Sequence, residues 1–210
     1  MLKKLHSALL LTLVPFMLFA QTGNQTLKDL QNKFKSINTL SADFVQTGSL
    51  SPDKQLSTTK GKLYFRKDNK YRIEFRNLEF VSDGTTVWSY NKKNKKVVIT
   101  DVNSSDASSF SLKQLLYDYP SQSTIEQLPK EEVNGIRCDV IRLNSKGGRQ
   151  NFKSVKIWSD PNSIIRKAEV TDKSGAVYSF ELSNIKVNPQ LNSGMFTFET
   201  PKGSEVIDLR

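Results

Sequence analysis

The feature that most constrains this fold is a long succession of alternating apolar and polar segments separated by turn residues. The pattern is visible in GKLYFRKDNKYRIEF, FVSDGTTVWSYN, IRCDVIRLNS, NFKSVKIWSD, VYSFELSNIKVN and MFTFETP, and it is typical of β-strands. Asp83-Gly84 is a two-residue hairpin signal, and residues 67–70, 91–96 and 173–175 predict further turns. About ten strands joined by short turns predict one large antiparallel sheet, which at that size normally curls.

Two segments depart from this pattern and predict short helices. Residues 24–40 repeat apolar side chains at helical spacing, with Asn24 or Thr26 as the expected N-cap. The apolar face of this helix contains Leu27, Leu30, Phe34 and Ile37. The second helix follows a serine-rich stretch and is expected to end before Pro120. It contains Phe110, Leu112, Leu115, Leu116 and Tyr119.

Residues 1–20 have the pattern of a secretory signal peptide. Lys3 and Lys4 precede an apolar run that is short for a membrane span, and Ala20 stands at the expected cut. We therefore expect residues 21–210 to form a single exported domain without a lipid anchor. Removal of the two lysines changes the formal charge from +10 to +8.

The residue types argue against most enzyme classes. The only histidine is His6, within the predicted signal peptide, so the mature chain is expected to lack Ser-His-Asp triads, Cys-His pairs and imidazole metal sites. The single cysteine, Cys138, lies in an alternating run and is expected to be a buried structural thiol. We predict no catalytic residues, no metal and no cofactor.

Carboxylates and lysines leave two further alternatives. A pair of strand carboxylates could perform acid-base chemistry of the glycosidase type, but we interpret them as solvent-facing or turn residues. They are Glu74, Glu79, Asp83, Asp101, Asp139, Asp160 and Glu181. The basic run KKNKK at residues 92–96 is compatible with simple solvation or with a docking surface for anionic membranes or acidic partners. We do not expect nucleic-acid binding, because an exported protein rarely meets nucleic acid.

The strands carry more apolar surface than two short helices can cover. Either these side chains form an ordinary sandwich or barrel core, or they line a cavity for an apolar ligand, and the pattern does not distinguish the two. The cavity candidates are Leu63, Phe65, Tyr71, Ile73, Phe75, Val87, Trp88, Tyr90 and Trp158.

Four segments resemble, in order, the motifs of one family. VSDGTTVWSYN resembles the VSDG-x-x-LW-x-YN signature of the periplasmic outer-membrane lipoprotein carriers, the LolA family. LSADFVQ, GKLYFRKDNKYRIEF and MFTFETPKGSEVID resemble its entry strand, its second hairpin and its closing segment. The resemblance runs from about Leu40 to Asp208.

The resemblance implies an incomplete antiparallel β-barrel of about ten or eleven strands, mainly β, whose concave apolar face is lidded by short helices. Members of the family are periplasmic monomers that take acylated lipoproteins from an inner-membrane ATP-driven release complex and deliver them to an outer-membrane receptor. The lid residues would be Leu27, Leu30, Phe34, Phe110, Leu112, Leu115 and Leu116.

One departure from the family pattern concerns the lid. Lys67 stands where the family has an arginine that latches the lid, and lysine lacks the planar hydrogen-bonding fork. A weaker or rearranged latch is therefore expected. A carrier or sensor of another lipid on the same fold is the nearest alternative function. A structural surface protein is a more distant one.

Overall fold

The computed structural model describes residues 16–51, 54–102, 114–147 and 152–210. Its helical elements are α1 (Phe16–Ser36), a π-helical turn (Gln114–Asp118), α2 (Tyr119–Ser121) and a 3-10 turn (Ser193–Phe196). The strands are β1 (Thr39–Ser51), β2 (Lys54–Arg66), β3 (Lys70–Phe75), β4 (Leu78–Asp83), β5 (Thr86–Asn91), β6 (Lys96–Asp101), β7 (Ser123–Val133), β8 (Ile136–Ser145), β9 (Phe152–Ser159), β10 (Ile165–Asp172), β11 (Val177–Val187) and β12 (Glu205–Asp208). Among the residues described, no helix combines the length and the apolar character that crossing a membrane requires.

All twelve strands belong to one sheet, which curls into an open barrel. Their spatial order is β12-β6-β5-β4-β3-β2-β1-β11-β10-β9-β8-β7, and every neighbouring pair except one is antiparallel. The predicted mainly β, incomplete barrel is confirmed. The exception is β12, which pairs in parallel with β6 because the chain crosses the sheet before β12 begins.

The predicted turns at residues 67–70 and 83–84 are present and have clear local causes. Asp68 and Asn69 both have positive φ, 67° and 58°, which asparagine and aspartate tolerate better than most residues. Gly84 has φ 100°, and a Cβ atom there would collide with the backbone oxygen of Asp68. Glycine at this position therefore lets the two adjacent turns pack together.

Helix α1 begins earlier than predicted. Asn24 and Thr26 lie inside the helix and are not its N-cap, because the helix continues back to Phe16 through residues without a strong helix breaker. Residues 1–15 of the predicted signal peptide lie outside the described residues. Gly23 is buried against β7, where an added Cβ would lie 3.2 Å from the amide nitrogen of Gln127. This glycine allows the helix to approach the sheet closely.

The second helical segment differs from the prediction in type and in its end. Residues 114–118 form a π-helical turn, and the chain continues into α2, where Pro120 occupies the first turn. Proline is tolerated there because the first helical amides need no intrahelical acceptor. Phe110 and Leu112 lie outside the described residues.

The sheet has two faces that differ in what covers them. The face contacted by α1 and the π-helical turn is named here the helix face. The opposite, outer face is crossed by residues 189–199, named here the strap. Arg66 Nη2 donates to the carbonyl of Leu191 at 2.7 Å and Arg72 Nη1 to that of Met195 at 3.2 Å, so the strap is held by backbone acceptors.

The strap corrects one predicted strand. MFTFETP alternates like a strand, but residues 193–196 form a 3-10 turn and no strand begins before Glu205. The alternation instead serves packing: Phe196 is buried beneath the guanidinium of Arg66, 5.1 Å from the ring centroid. Phe198 lies against Trp88 and Tyr90 at 6.1 and 5.8 Å, while Thr197 and Glu199 face solvent.

Candidate functional site

The part of the helix face beneath α1 is a closed aliphatic core. Leu27 and Leu30 of α1 and Leu115 and Leu116 of the π-helical turn are buried against strands β8, β9 and β10. The strand side chains in this core are Ile141, Leu143, Phe152, Val155, Ile157, Ile165 and Ala168. These residues are excluded from water, so this region is packed like an ordinary protein interior.

The helix face over β1 to β5 is aromatic and only partly closed. Leu63, Ile73 and Phe80 form its buried floor. Above and beside them lie four half-buried side chains, named here with that floor the aromatic region: Phe65, Tyr71, Phe75 and Leu78. The ring of Phe75 is 5.9 Å from that of Phe44 and 5.8 Å from that of Phe80. Partly exposed rings in this arrangement offer a broad apolar contact surface.

The C-terminal half of α1 covers one side of the aromatic region. The ring of Phe34 lies 5.1 Å from that of Phe65, and Ile37 is buried in the same cluster. Gln31 Nε2 donates a 2.8 Å hydrogen bond to the carbonyl of Leu116. The hydroxyl of Tyr117 lies 3.4 Å from the carbonyl of Gln31, to which it donates. These bonds join α1 to the π-helical turn.

Six of the nine cavity candidates lie together on the helix face. Cross-strand partners share a face, and Leu63 pairs with Ile73, Phe65 with Tyr71 and Phe75 with Leu78. Val87 pairs with Ser82, the partner of Tyr71, and is therefore on this face as well. The residues brought together are Leu63, Phe65, Tyr71, Ile73, Phe75 and Val87.

Trp88, Tyr90 and Trp158 do not belong to this surface, and the prediction that they line the cavity is wrong. Adjacent strand residues point to opposite faces, so Val87 and Trp88 cannot both face α1. Trp88 and Tyr90 lie beneath Phe198 of the strap. Trp158 follows Ile157, which faces α1, and pairs with Val140 on the outer face.

Trp158 is held on the outer face by polar partners. Its indole Nε1–H donates to Glu131 Oε2 at 2.8 Å, and the ammonium groups of Lys156 and Lys167 each lie 4.5 Å from its ring. Burial by itself would raise the pKa of Glu131. The hydrogen bond from Trp158 and the charge of Lys156 outweigh burial and hold this pKa below its ordinary value.

Lys67, the predicted latch, lies beside the C-terminal end of α1. Its backbone N–H donates to the carbonyl of Asn38 at 2.9 Å, and its side chain is exposed. Within the described ranges its ammonium group forms no ion pair or hydrogen bond with α1 or the π-helical turn. The joint between these two elements is formed instead by Gln31.

A polar cavity of about 540 Å³ lies at the β1–β11 bulge, lined mainly by outward-facing side chains. Asp43 accepts hydrogen bonds from Asn184 Nδ2 at 2.7 Å and Lys62 Nζ at 3.0 Å, and these bonds lower its pKa. The cavity therefore offers a different chemistry from the aromatic region, because the charged side chains of Asp43, Lys62 and Lys186 are among those that line it.

The strand carboxylates serve structural roles. Asp83 accepts from the amides of Thr85 and Thr86, as expected for a turn residue. Asp160 accepts from the amides of Asn162 and Ile164 and pairs with Arg166 at 2.6 Å. In the part of the chain that the structure describes, no cluster of three or more metal-ligating residues is found.

Glu79 corrects the interpretation of these carboxylates as solvent-facing or turn residues. It is buried on the outer face, where it pairs with Arg72 and, at 3.1 Å, with Lys92. Two cationic partners make its burial tolerable. Cys138 is fully buried, as predicted, and burial raises the pKa of its thiol.

Sequence reasoning missed four residues that shape the candidate site. Phe44 and Phe80 complete the ring contacts around Phe75, and the alternation of LSADFVQ and LEFVSD could have identified both. Gln31 and Tyr117 form the joint of the cover. The sequence alone does not indicate that a polar residue at the edge of an apolar helix face will form such a hydrogen bond.

Comparisons with known proteins agree on one family. Residues 35–199 match the family model described as outer membrane lipoprotein carrier protein LolA. The outer-membrane lipoprotein carrier protein of Pasteurella multocida is 30% identical over 189 residues, covering 87% of this chain and 86% of that protein. The protein of the same name from Legionella pneumophila is 26% identical over 202 residues, covering 95% and 96%.

Solved structures share the fold at low sequence identity. An uncharacterized conserved protein from Thermus thermophilus superposes with a TM-score of 0.61 at 13% identity, covering 90% of this chain and 99% of that one. The lipoprotein LppX from Mycobacterium tuberculosis has a TM-score of 0.51 at 13% identity, covering 82% and 98%. The family match covers most of the chain, and the chain belongs to the LolA family of outer-membrane lipoprotein carrier proteins.

Proposed function

We propose that this protein is a periplasmic carrier that binds the acyl chains of lipoproteins at the aromatic region and carries them from the inner to the outer membrane. The observation that carries the proposal is the half-buried group Phe65, Tyr71, Phe75 and Leu78 beside the cover formed by α1. A protein interior normally closes such a group completely. Here the group remains available to an apolar ligand.

The physical chemistry of an acyl chain requires such a surface. Each buried CH₂ contributes about 0.8 kcal/mol, so a long chain does not stay in water. A carrier must also release its cargo, and a partly open surface with a movable cover permits moderate binding and exchange. Aromatic side chains suit this task because their rings give wide contact with few rotamers to immobilise.

The proposed partners follow from membership of the family and from the signal-peptide pattern. The cargo is an acylated lipoprotein, received from an inner-membrane ATP-driven release complex and passed to an outer-membrane receptor. The carrier acts as a monomer in the periplasm, with residues 1–20 removed as a signal peptide and residues 21–210 forming one domain. Binding and release involve no covalent chemistry, so the role requires no catalytic residue and no cofactor.

The first test is mass spectrometry of the material that co-purifies with the mature protein from the periplasm of its own host. An acylated lipoprotein bound one to one is the expected result. Free lipid alone would move the function to transport or sensing of another lipid on the same fold. Absence of any bound lipid, together with no uptake of a fluorescent fatty acid, would overturn the proposal.

Substitution of two tyrosines on opposite faces of the sheet tests which face binds the ligand. Tyr71 lies on the helix face of β3, and Tyr64 lies on the outer face of the neighbouring strand β2. Tyr71→Gln removes apolar contact and should weaken fatty-acid binding by about tenfold. Tyr64→Gln should leave binding within about twofold. Equal losses in the two variants would show that the helix face is not the binding surface.

A further inference from the structure

The described turn residues at one end of the sheet carry only positive charge. This end contains the β3–β4, β5–β6, β8–β9 and β10–β11 connections and the turn that precedes β12. It also contains the β1–β2 connection, whose residues 52–53 lie outside the described ranges. The charged side chains of their described turn residues are all cationic and exposed, and together they are named here the basic rim. They are Arg76, Lys92, Lys93, Lys95, Lys146, Lys173 and Lys202.

Three of these turns form one continuous corner. The amide of Lys92 donates to the carbonyl of Asn77 at 2.7 Å, and the amide of Glu205 donates to that of Lys95 at 2.8 Å. These bonds place residues 76–77, 92–95 and 201–204 side by side. Arg76, three lysines of the KKNKK run and Lys202 therefore share a small area, which raises the local positive potential.

Few acids neutralise this corner. Lys92 is paired with the buried Glu79 at 3.1 Å, and Glu205 lies 3.8 Å from Lys96. Among the residues that the structure describes, Lys93 and Lys95 have no acidic partner within ion-pair distance. At the β10–β11 turn, the carboxylate of Asp172 accepts from Ser174 and from the amide of Ala176, and its negative charge offsets part of the positive charge of that turn.

The opposite end of the sheet has a different charge. Its described turn residues carry Lys67, Asp68 and Asp160, and Asp160 is already paired with Arg166. One cation and two anions there contrast with seven cations and no anion among the described turn residues at the end of the basic rim. Among the described turn residues, positive charge is therefore concentrated at one end of the strands.

We propose that the basic rim docks the protein on a membrane surface of anionic phospholipid. The cations stand on several separate turns, and all but one are lysines. Lysine is a flexible point charge, and such a spread suits a diffuse negative surface better than an acidic peptide, which needs a defined groove. A juxtamembrane lysine contributes measurably to binding of anionic lipid.

The basic rim adjoins the aromatic region. Phe75 ends β3 and Leu78 begins β4, so both flank the turn that carries Arg76. Docking by the rim would bring this end of the aromatic region close to the bilayer surface, where acyl chains enter and leave. The inference goes beyond the proposed function and does not depend on it, because docking is a property of the protein without cargo.

The test is co-sedimentation of the mature, cargo-free protein with vesicles of phosphatidylcholine alone or mixed with phosphatidylglycerol. Binding is expected only to the anionic vesicles and should weaken with salt, which screens charges beyond about 8 Å at physiological ionic strength. Lys93→Glu combined with Lys95→Glu should weaken binding by at least about 25-fold, from a factor of about five per lysine.

The control has the same change in net charge at the other end of the strands. Lys186→Glu combined with Arg137→Glu alters two exposed cations near that end and should leave vesicle binding within about threefold, because only distant screened charges change. Equal losses in both double variants, or no binding to anionic vesicles at low salt, would overturn the proposal. Binding to an acidic peptide but not to vesicles would also overturn it.

Fatty-acid uptake measured on the same variants separates this inference from the proposed function. The basic-rim variant should retain uptake. Loss of vesicle binding with normal uptake supports docking by the rim, whereas failure of uptake in the unaltered protein counts only against the carrier role.

Discussion

The two faces of the sheet treat their aromatic side chains differently. On the outer face, Phe196 beneath Arg66 and Trp158 between two lysines and Glu131 are each only 2% exposed, and the half-buried Trp88 has Phe198 of the strap stacked on it. On the helix face, Phe65 and Phe75 remain half-buried although they border a buried floor. Aromatic content alone therefore does not mark a binding surface. The distinguishing property is whether the protein completes the burial itself.

This difference separates stability from function between the two faces of the sheet. In β5, Val87 belongs to the helix face and Trp88 to the outer face, where Phe198 of the strap lies against it. The outer face supplies fixed packing that holds the sheet together without a disulfide. The helix face over β1 to β5 can then remain incompletely packed, because its incomplete burial is compensated elsewhere in the fold.

The largest expected effect compares one substitution on both faces. Phe196→Ala removes a buried ring from the strap and should lower the free energy of unfolding by about 3–5 kcal/mol. Phe65→Ala removes a half-buried ring and should cost about 1–2 kcal/mol. Urea unfolding of the two variants measures both values. Fatty-acid binding should fall only for Phe65→Ala, and a larger stability loss for Phe65→Ala would contradict the comparison.

The next effect concerns the cover of the helix face. Gln31→Ala removes the hydrogen bond to the carbonyl of Leu116 and should cost about 1 kcal/mol. Amide hydrogen exchange in residues 115–119 should become faster, because the π-helical turn loses its attachment to α1. Gln25→Ala is the control, since Gln25 is exposed and, among the described residues, its side chain donates to Asp29 in its own helix. Equal exchange in the two variants would show that Gln31 does not hold the cover.

Much of this fold was predictable because its causes are local. The alternating strands, the Asp83-Gly84 turn and the apolar face of α1 depend on neighbouring residues, and the structure contains all three. Even the face of each aromatic residue followed from alternation: Trp88 had to oppose Val87, and Trp158 had to oppose Ile157. The mistaken cavity assignments came from grouping adjacent residues by type rather than by face.

Other features depend on contacts between distant segments. MFTFETP alternates as a strand does, but Phe196 and Phe198 find their partners on the outer face, and this tertiary packing overrides local propensity. The parallel pairing of β12 follows from the path of the strap. The bond between Gln31 and Leu116 joins residues 85 positions apart, and neither residue carries a mark of it.

A smaller effect is expected at the predicted latch. Lys67 lies beside the end of α1 through its backbone bond to Asn38, so an arginine there could reach the last carbonyls of the helix with its planar fork. Lys67→Arg should slow the release of bound lipid by about twofold to fivefold relative to Lys67→Ala, the value of one modest hydrogen bond. Stopped-flow displacement of a fluorescent fatty acid measures the rates. Equal rates would remove Lys67 from the cover and leave Gln31 as its joint.

The smallest effect concerns the pH dependence of the contact between Trp158 and Glu131 on the outer face. Burial opposes ionisation of Glu131, but the hydrogen bond from Trp158 and the charge of Lys156 lower its pKa below the ordinary value of 4.5. A carboxyl group whose pKa is lower in the folded than in the unfolded protein stabilises the fold at pH values above its ordinary pKa. This contribution is lost as the pH falls through the folded-state pKa.

The emission of Trp158, followed in a Trp88→Phe background, should therefore change only below pH 4.5. Glu131→Gln should abolish the transition, and a midpoint above 4.5 would mean that Trp158 does not hold Glu131 in its charged form. Fatty-acid binding should not follow this transition, because Glu131 and the aromatic region lie on opposite faces of the sheet.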